Sequence, residues 1–184
     1  MDCKDQGFDF RYITQVQEVL RLTIEAITAF LAKESDLLDV NTNERSLTHK
    51  LAEHLGPRFP EWHVDCEYNR LEDAPKRLPP KNKVFTDDTE GRTIFPDVIV
   101  HKRQIRDNLL VIEVKKASNK NSKNDISKLE GLTRDDGCYG YVCGLHLIID
   151  CESKTPTGHI YVAGSYHDEL SKWYCRSLQA SLAA

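Results

Sequence analysis

The sequence predicts a single α/β domain, an α-β-α sandwich in which a central mixed β-sheet carries helices on both faces. Three observations lead there. Amphipathic helical stripes and short β-branched apolar runs follow one another in the order helix, helix, strand, hairpin, helix, strand, strand, helix. A hydrophobic fraction of 40% beside a charged fraction of 29% is that of a folded globular chain, which excludes global disorder. A length of 184 residues suits one domain with a substantial core, and no internal repeat divides it.

From Ile13 to Leu31 the positions Ile13, Val16, Leu20, Ile24, Ile27 and Leu31 recur at three- and four-residue steps, the stripe of an amphipathic helix. Val19, Leu22, Ala26 and Phe30 give it a second apolar side, a candidate surface for dimerisation as well as for core packing. After the polar stretch Asp39 to Asn43, Leu47, Leu51 and Leu55 mark a second helix that Gly56-Pro57 ends. Trp62 to Tyr68 alternates as a strand, and the Pro-, Lys- and Asp-rich stretch Asn69 to Arg92 reads as a long loop. Ile94 to Lys102 and Leu109 to Lys115 form a β-hairpin about the polar turn Gln104 to Asn108. Asp125 to Thr133 is a short helix, Tyr141 to Ile149 a buried strand, and His159 to Val162 another after a Pro156/Gly158 turn. A helix over His167 to Leu182, apolar at Leu170, Trp173, Tyr174 and Leu178, closes the chain.

No apolar run approaches the roughly 20 residues needed to span a bilayer, and the start MDCKDQGFDF lacks the pattern of a signal peptide, so a cytoplasmic protein without membrane contact is expected. None of the six cysteines forms a C-x-x-C pair and several fall in apolar runs, which predicts reduced thiols packed as small hydrophobes. A net charge of −4 argues against a chain that coats nucleic acid by electrostatics alone. Local basic patches remain, one through Lys76, Arg77, Lys81 and Lys83 within the loop Arg70–Lys83, the other through Lys115, Lys116, Lys120, Lys123 and Lys128. The first reads as a solvated, flexible loop, and on the alternative reading it helps grip a nucleic-acid backbone.

The segment FPDVIVHKRQIRDNLLVIEVKK, Phe95 to Lys116, carries the chemistry. Glu113 and Lys115, two apart on a strand, project to one face, while Ile112 and Val114 face away. Antiparallel pairing brings Asp97, near the start of the first strand, beside Glu113, near the end of the second. Two converging carboxylates repel unless a hard divalent cation neutralises them, and Mg²⁺ so held polarises a phosphoryl oxygen and acidifies a bound water. The Val114 carbonyl adds a further oxygen, and Lys115 orients or helps deprotonate the water, or stabilises charge on the phosphate.

In these residues the chain resembles the PD-(D/E)XK nuclease superfamily. Pro96-Asp97 fits the first half-motif and Glu113-Val114-Lys115 the second, and the element order matches from Glu44 to about Ile149. The resemblance implies a restriction-endonuclease-like core over 44–150 behind an N-terminal helical extension, 1–38. It implies a Mg²⁺-dependent nuclease, with Mn²⁺ substituting, with Asp97 and Glu113 on the metal and Glu44 as an assisting acid on the preceding helix; DNA rather than RNA is the expected substrate, which the resemblance by itself does not specify. Glu44 also fits a capping box with Asn41. Members also place a Lys on the helix after the second half-motif. Lys128 is the candidate, with Asp125 near it, although a solvated helix face explains both. Cutting two strands with one site per chain implies a homodimer. The alternatives are a catalytically silent binding module of the same fold, or the nuclease component of a larger defence or repair assembly.

Overall fold

The computed structural model describes residues 10–71, 74–78 and 92–184. The chain opens with helix α1 (Phe10–Lys33), a short α2 (Ser35–Asp39) and α3 (Glu44–Leu55), which a 3₁₀ turn at Gly56–Arg58 follows. Strand β1 (His63–Cys66) leads to the two-residue strands β2 (Arg70–Leu71), β3 (Ala74–Pro75), β4 (Arg77–Leu78) and β5 (Arg92–Thr93). Then come β6 (Val98–Lys102), β7 (Asp107–Lys116), α4 (Lys123–Leu132), β8 (Cys143–Asp150), β9 (Thr155–Val162), β10 (Ser165–Tyr166) and α5 (Asp168–Leu182).

Six strands form one mixed sheet in the order β1-β6-β7-β8-β9-β10, antiparallel throughout except between β7 and β8. The parallel step follows from α4, because a parallel pair needs a crossover long enough to hold a helix. Helices α1, α3 and α5 cover one face, where Val98, Val100, Leu110, Ile112, Val114, Leu145 and Leu147 meet Leu20, Ile27, Leu51 and Tyr174 in the main core. A smaller core of Ile99, Val111, Leu129, Leu132, Tyr139 and Tyr141 lies on the α4 face. The result is the expected mixed α/β fold with helices on both faces. Among the described residues no helix is long and apolar enough to cross a membrane. The five described cysteines, Cys66, Cys138, Cys143, Cys151 and Cys175, are all free thiols, and burial pushes the Cys143 thiol up to about 12.

One expectation, core packing of the α1 stripe, is met, and two others need revision. The double apolar stripe of α1 is consumed within the chain, against α3 and α5, and leaves exposed only such residues as Thr14, Gln15, Glu18 and Arg21. Among its described residues Tyr12, Ile13 and Leu22 remain partly exposed. Pro156 and Gly158 do not make a turn; both lie within β9, which begins at Thr155. Most of β9 faces β8 alone, so the missing N–H of Pro156 interrupts no inner ladder. Gly158 is there because Tyr174 of α5 packs directly on the strand: a Cβ would stand 2.5 Å from Tyr174 Cε1 and 2.7 Å from Leu145 Cδ1.

The second revision concerns the loop. Its described parts pair as two short ribbons, β2 with β3 and β4 with β5, while Lys81 and Lys83 lie outside the described residues. Lys76 is not solvated. It is fully buried, its Nζ 5.2 Å from the Tyr68 ring centroid and 5.8 Å from that of Tyr141, donating to the Tyr68 carbonyl at 3.4 Å. Burial lowers its ammonium to about 8, against a weaker upward pull from Asp65.

Two outcomes follow from this packing. Gly158→Ala forces Tyr174 or Leu145 aside and costs about 1–3 kcal/mol, read as a lower urea midpoint at unchanged slope. Because folded Lys76 releases its proton more readily than the unfolded chain does, stability rises with pH from about 8 toward the ordinary lysine range near 10. Lys76→Met abolishes that rise and adds about 1–3 kcal/mol at neutral pH, measured by denaturant unfolding across the same pH range.

Candidate active site

The charged residues of the motif gather where β6 begins and β7 ends. Asp97 directly precedes β6, whose first residue Val98 pairs with Ile112, so Asp97 stands level with Glu113 on the neighbouring strand. Asp97 Oδ2 accepts the Val114 N–H at 2.8 Å. The N–H and C=O of one extended residue leave on the same edge of a strand, so the Val114 carbonyl is turned toward Asp97 as well. Glu113 lies between β6 and β8 on the α4 face and is fully buried. Its Oε2 accepts from the ammonium of Lys128 on α4, which also donates to the Phe95 carbonyl at 3.1 Å. Its other oxygen, Oε1, is buried with no hydrogen-bond partner.

Lys115 follows on the same face. Its Nζ is 2.8 Å from Asp125 Oδ2 in the first turn of α4 and 3.7 Å from Glu44 Oε2 at the start of α3. The second oxygen of Glu44 accepts the Lys116 N–H at 3.0 Å and Asn119 Nδ2 at 3.3 Å, tying α3 to the end of β7. Lys116 itself points the other way, donating to the carbonyls of Asn41 and Thr42 at 3.0 and 2.9 Å. His146 completes the cluster. Parallel pairing sets it beside Glu113, and it is buried with neither ring nitrogen hydrogen-bonded and Nε2 3.9 Å from Asp125 Oδ2.

Burial dominates the electrostatics. It raises Asp97 above the usual carboxylate range, against the Val114 N–H and the Lys128 charge, which pull the other way. Glu113 is raised much further by burial and by the neighbouring Asp97, with Lys128 opposing. Burial by itself lowers Lys115, but the hydrogen bond and charge of Asp125, with Glu44 and Asp97 behind, hold it above its ordinary value. Lys115 is therefore held in its ammonium form at neutral pH. Desolvation keeps His146 below the ordinary histidine value.

The structure thus brings Asp97, Glu113, Val114, Lys115 and Glu44 into one cluster. Two readings of the helices change. The cap of α3 is Asn43, whose Oδ1 accepts from Ser46 N–H at 2.9 Å, and Glu44 turns to β7 rather than to a capping box with Asn41. Asp125 and Lys128 do not lie on a solvated helix face: both turn toward the sheet and pair with Lys115 and Glu113. Sequence reasoning passed over His146, whose one signal is a polar residue inside the apolar run Tyr141 to Ile149.

Among the described residues no three His, Cys, Asp or Glu side chains form a metal-holding group. Two carboxylates and one carbonyl fit Mg²⁺, which keeps several waters, and the orphaned Glu113 Oε1 is a buried oxygen lacking a cationic partner.

No family model matches this chain, and the search of curated proteins finds no match for it.

The Lys115–Asp125 pair is shielded from water, so its loss is felt in stability. Asp125→Ala strands a buried ammonium with only the more distant Glu44 and lowers the unfolding free energy by about 2–3 kcal/mol. Asp125→Asn, which keeps an acceptor, costs clearly less in the same denaturant titration.

Proposed function

We propose that this protein is a metal-dependent nuclease that hydrolyses phosphodiester bonds of DNA, built on a restriction-endonuclease-like core of the PD-(D/E)XK type. The observation that carries the reading is the meeting of Asp97 and Glu113 at adjacent strand ends, with Glu113 Oε1 unpartnered and Lys115 on the same face. The succession α3, β1, β6, β7, α4, β8 supports it, since it runs in the order the superfamily core requires.

In this reading Asp97, Glu113 and the Val114 carbonyl hold Mg²⁺, for which Mn²⁺ substitutes. The bound cation supplies Lewis acidity to the phosphate and a more acidic water. The chain's own residues do the remainder. Lys115, kept charged by Asp125 and Glu44, offers its ammonium to the charge that builds on the phosphoryl oxygens. Glu44 fixes the end of β7 through the Lys116 N–H and so holds Lys115 in place. The exposed stretch Ser118 to Asn121, with Lys123 and Asn124, presents lysines and amides of the kind that grip a phosphate backbone without reading sequence. Scission of both strands calls for two copies meeting through a surface other than the buried stripe of α1.

A second reading, a silent binding module or a component that acts only within a larger assembly, is favoured by one feature. The carboxylates of the cluster already have partners without any metal: Lys128 for Glu113, Lys115 for Asp125 and Glu44, and a backbone N–H for Asp97.

Purified protein incubated with supercoiled plasmid and with single-stranded DNA separates the two. Nicking or degradation that requires Mg²⁺ or Mn²⁺, and falls by about 10²–10³-fold or more in Glu113→Ala and Asp97→Ala, is the expected result. DNA binding that survives both substitutions, with no cleavage in any metal, upholds the binding module instead.

A further inference from the structure

On the metal-site reading of Asp97 and Glu113, we infer that the Lys128 ammonium is a built-in placeholder for the divalent cation, seated on the carboxylate pair in the metal-free protein and displaced when the cation enters. Lys128 extends from α4 to Glu113 Oε2 and to the Phe95 carbonyl, two oxygens beside Asp97, and its charge acts on Asp97 as well. This is the position where positive charge is most needed, because Glu113 is fully buried and burial disfavours its charged form. Lys115, the other lysine of the cluster, is committed to Asp125 at 2.8 Å and to Glu44 at 3.7 Å.

The ammonium is an incomplete substitute. It brings one charge to two carboxylates, and it leaves Glu113 Oε1 without a partner. A divalent cation with its waters offers both more charge and more contacts. The two cannot share Glu113 Oε2, since like charges at contact distance repel strongly in a buried site. Lys128 is free to leave: its flexible side chain is 19% exposed, and the α4 segment that carries it begins beside the exposed lysines and amides of residues 118–124. The device has two consequences. Metal affinity is reduced by the free energy of expelling Lys128, and the expelled ammonium becomes available to a phosphate.

The test is a titration of the full chain with Mn²⁺ alone, reading free Mn²⁺ by electron paramagnetic resonance, without DNA and without any assay of cleavage. Wild type, Lys128→Met, Lys128→Gln, Lys128→Arg and Glu113→Gln are compared, each first shown by its thermal transition to be folded. Lys128→Met and Lys128→Gln are expected to bind Mn²⁺ about tenfold tighter or more than wild type. Lys128→Arg stays as weak as wild type, and Glu113→Gln loses binding. If wild type binds Mn²⁺ through Glu113 but both neutral variants bind it no more tightly, the placeholder is overturned while the metal site stands. If neither wild type nor the neutral variants bind Mn²⁺, the metal site itself fails and takes the placeholder with it.

Discussion

A carboxylate placed inside a β-sheet has to be answered by positive charge, and Glu113 is such a carboxylate. It sits near the end of β7, with β6 on one side, β8 on the other and α4 across its face. Leaving that charge uncompensated costs several kcal/mol, a large share of the 5–15 kcal/mol by which a domain of this kind is stable. The neighbours are arranged accordingly. Lys128 faces Glu113, Asp97 accepts a backbone N–H next to it, and Lys115 stands between Asp125 and Glu44. Lys128 answers Glu113, Lys115 answers Asp125 and Glu44, and the like charges of Glu113 and Asp97 stand side by side; β7 and α4 supply two of these residues each.

The two faces of the sheet divide the work. The face under α1, α3 and α5 is packed by aliphatic and aromatic side chains, and it holds β6, β7 and β8 rigidly. The α4 face carries the polar groups: the cluster around Glu113 at one end, and toward the other Lys76 against Tyr68 and Tyr141 and the pair His101–Asp65 at 2.9 Å. A packed apolar backing is what allows buried charges on the opposite side to keep fixed positions. His146 fits the same pattern. Its ring nitrogens lack protein partners, with Asp125 3.9 Å away.

Much of the fold was legible in the sequence, because it depends on local periodicity. The steps of three and four from Val16 to Leu31 identified α1, and the β-branched runs identified β6, β7 and β8. Where a residue serves two physical purposes the reading went astray. Pro156 and Gly158 signal a turn, yet here the proline lies where it interrupts no inner ladder and the glycine makes room for Tyr174. Lysine signals solvent, yet Lys76 is enclosed by tyrosines and Lys128 by a carboxylate and a carbonyl.

By itself the sequence determined that Glu113 and Lys115 share a face, and that a hairpin brings Asp97 to them. Both follow from a strand's period of two and from the antiparallel register. Only the tertiary structure decided what else surrounds them. The α4 crossover makes β8 the parallel neighbour of β7 and so sets His146 beside Glu113. The docking of α4 turns Asp125 and Lys128 toward the sheet, and the approach of α3 delivers Glu44 to the end of β7. Periodicity specifies which side of its own element a residue occupies. It carries no information about which element lies opposite, and that is settled by the packing of the whole domain.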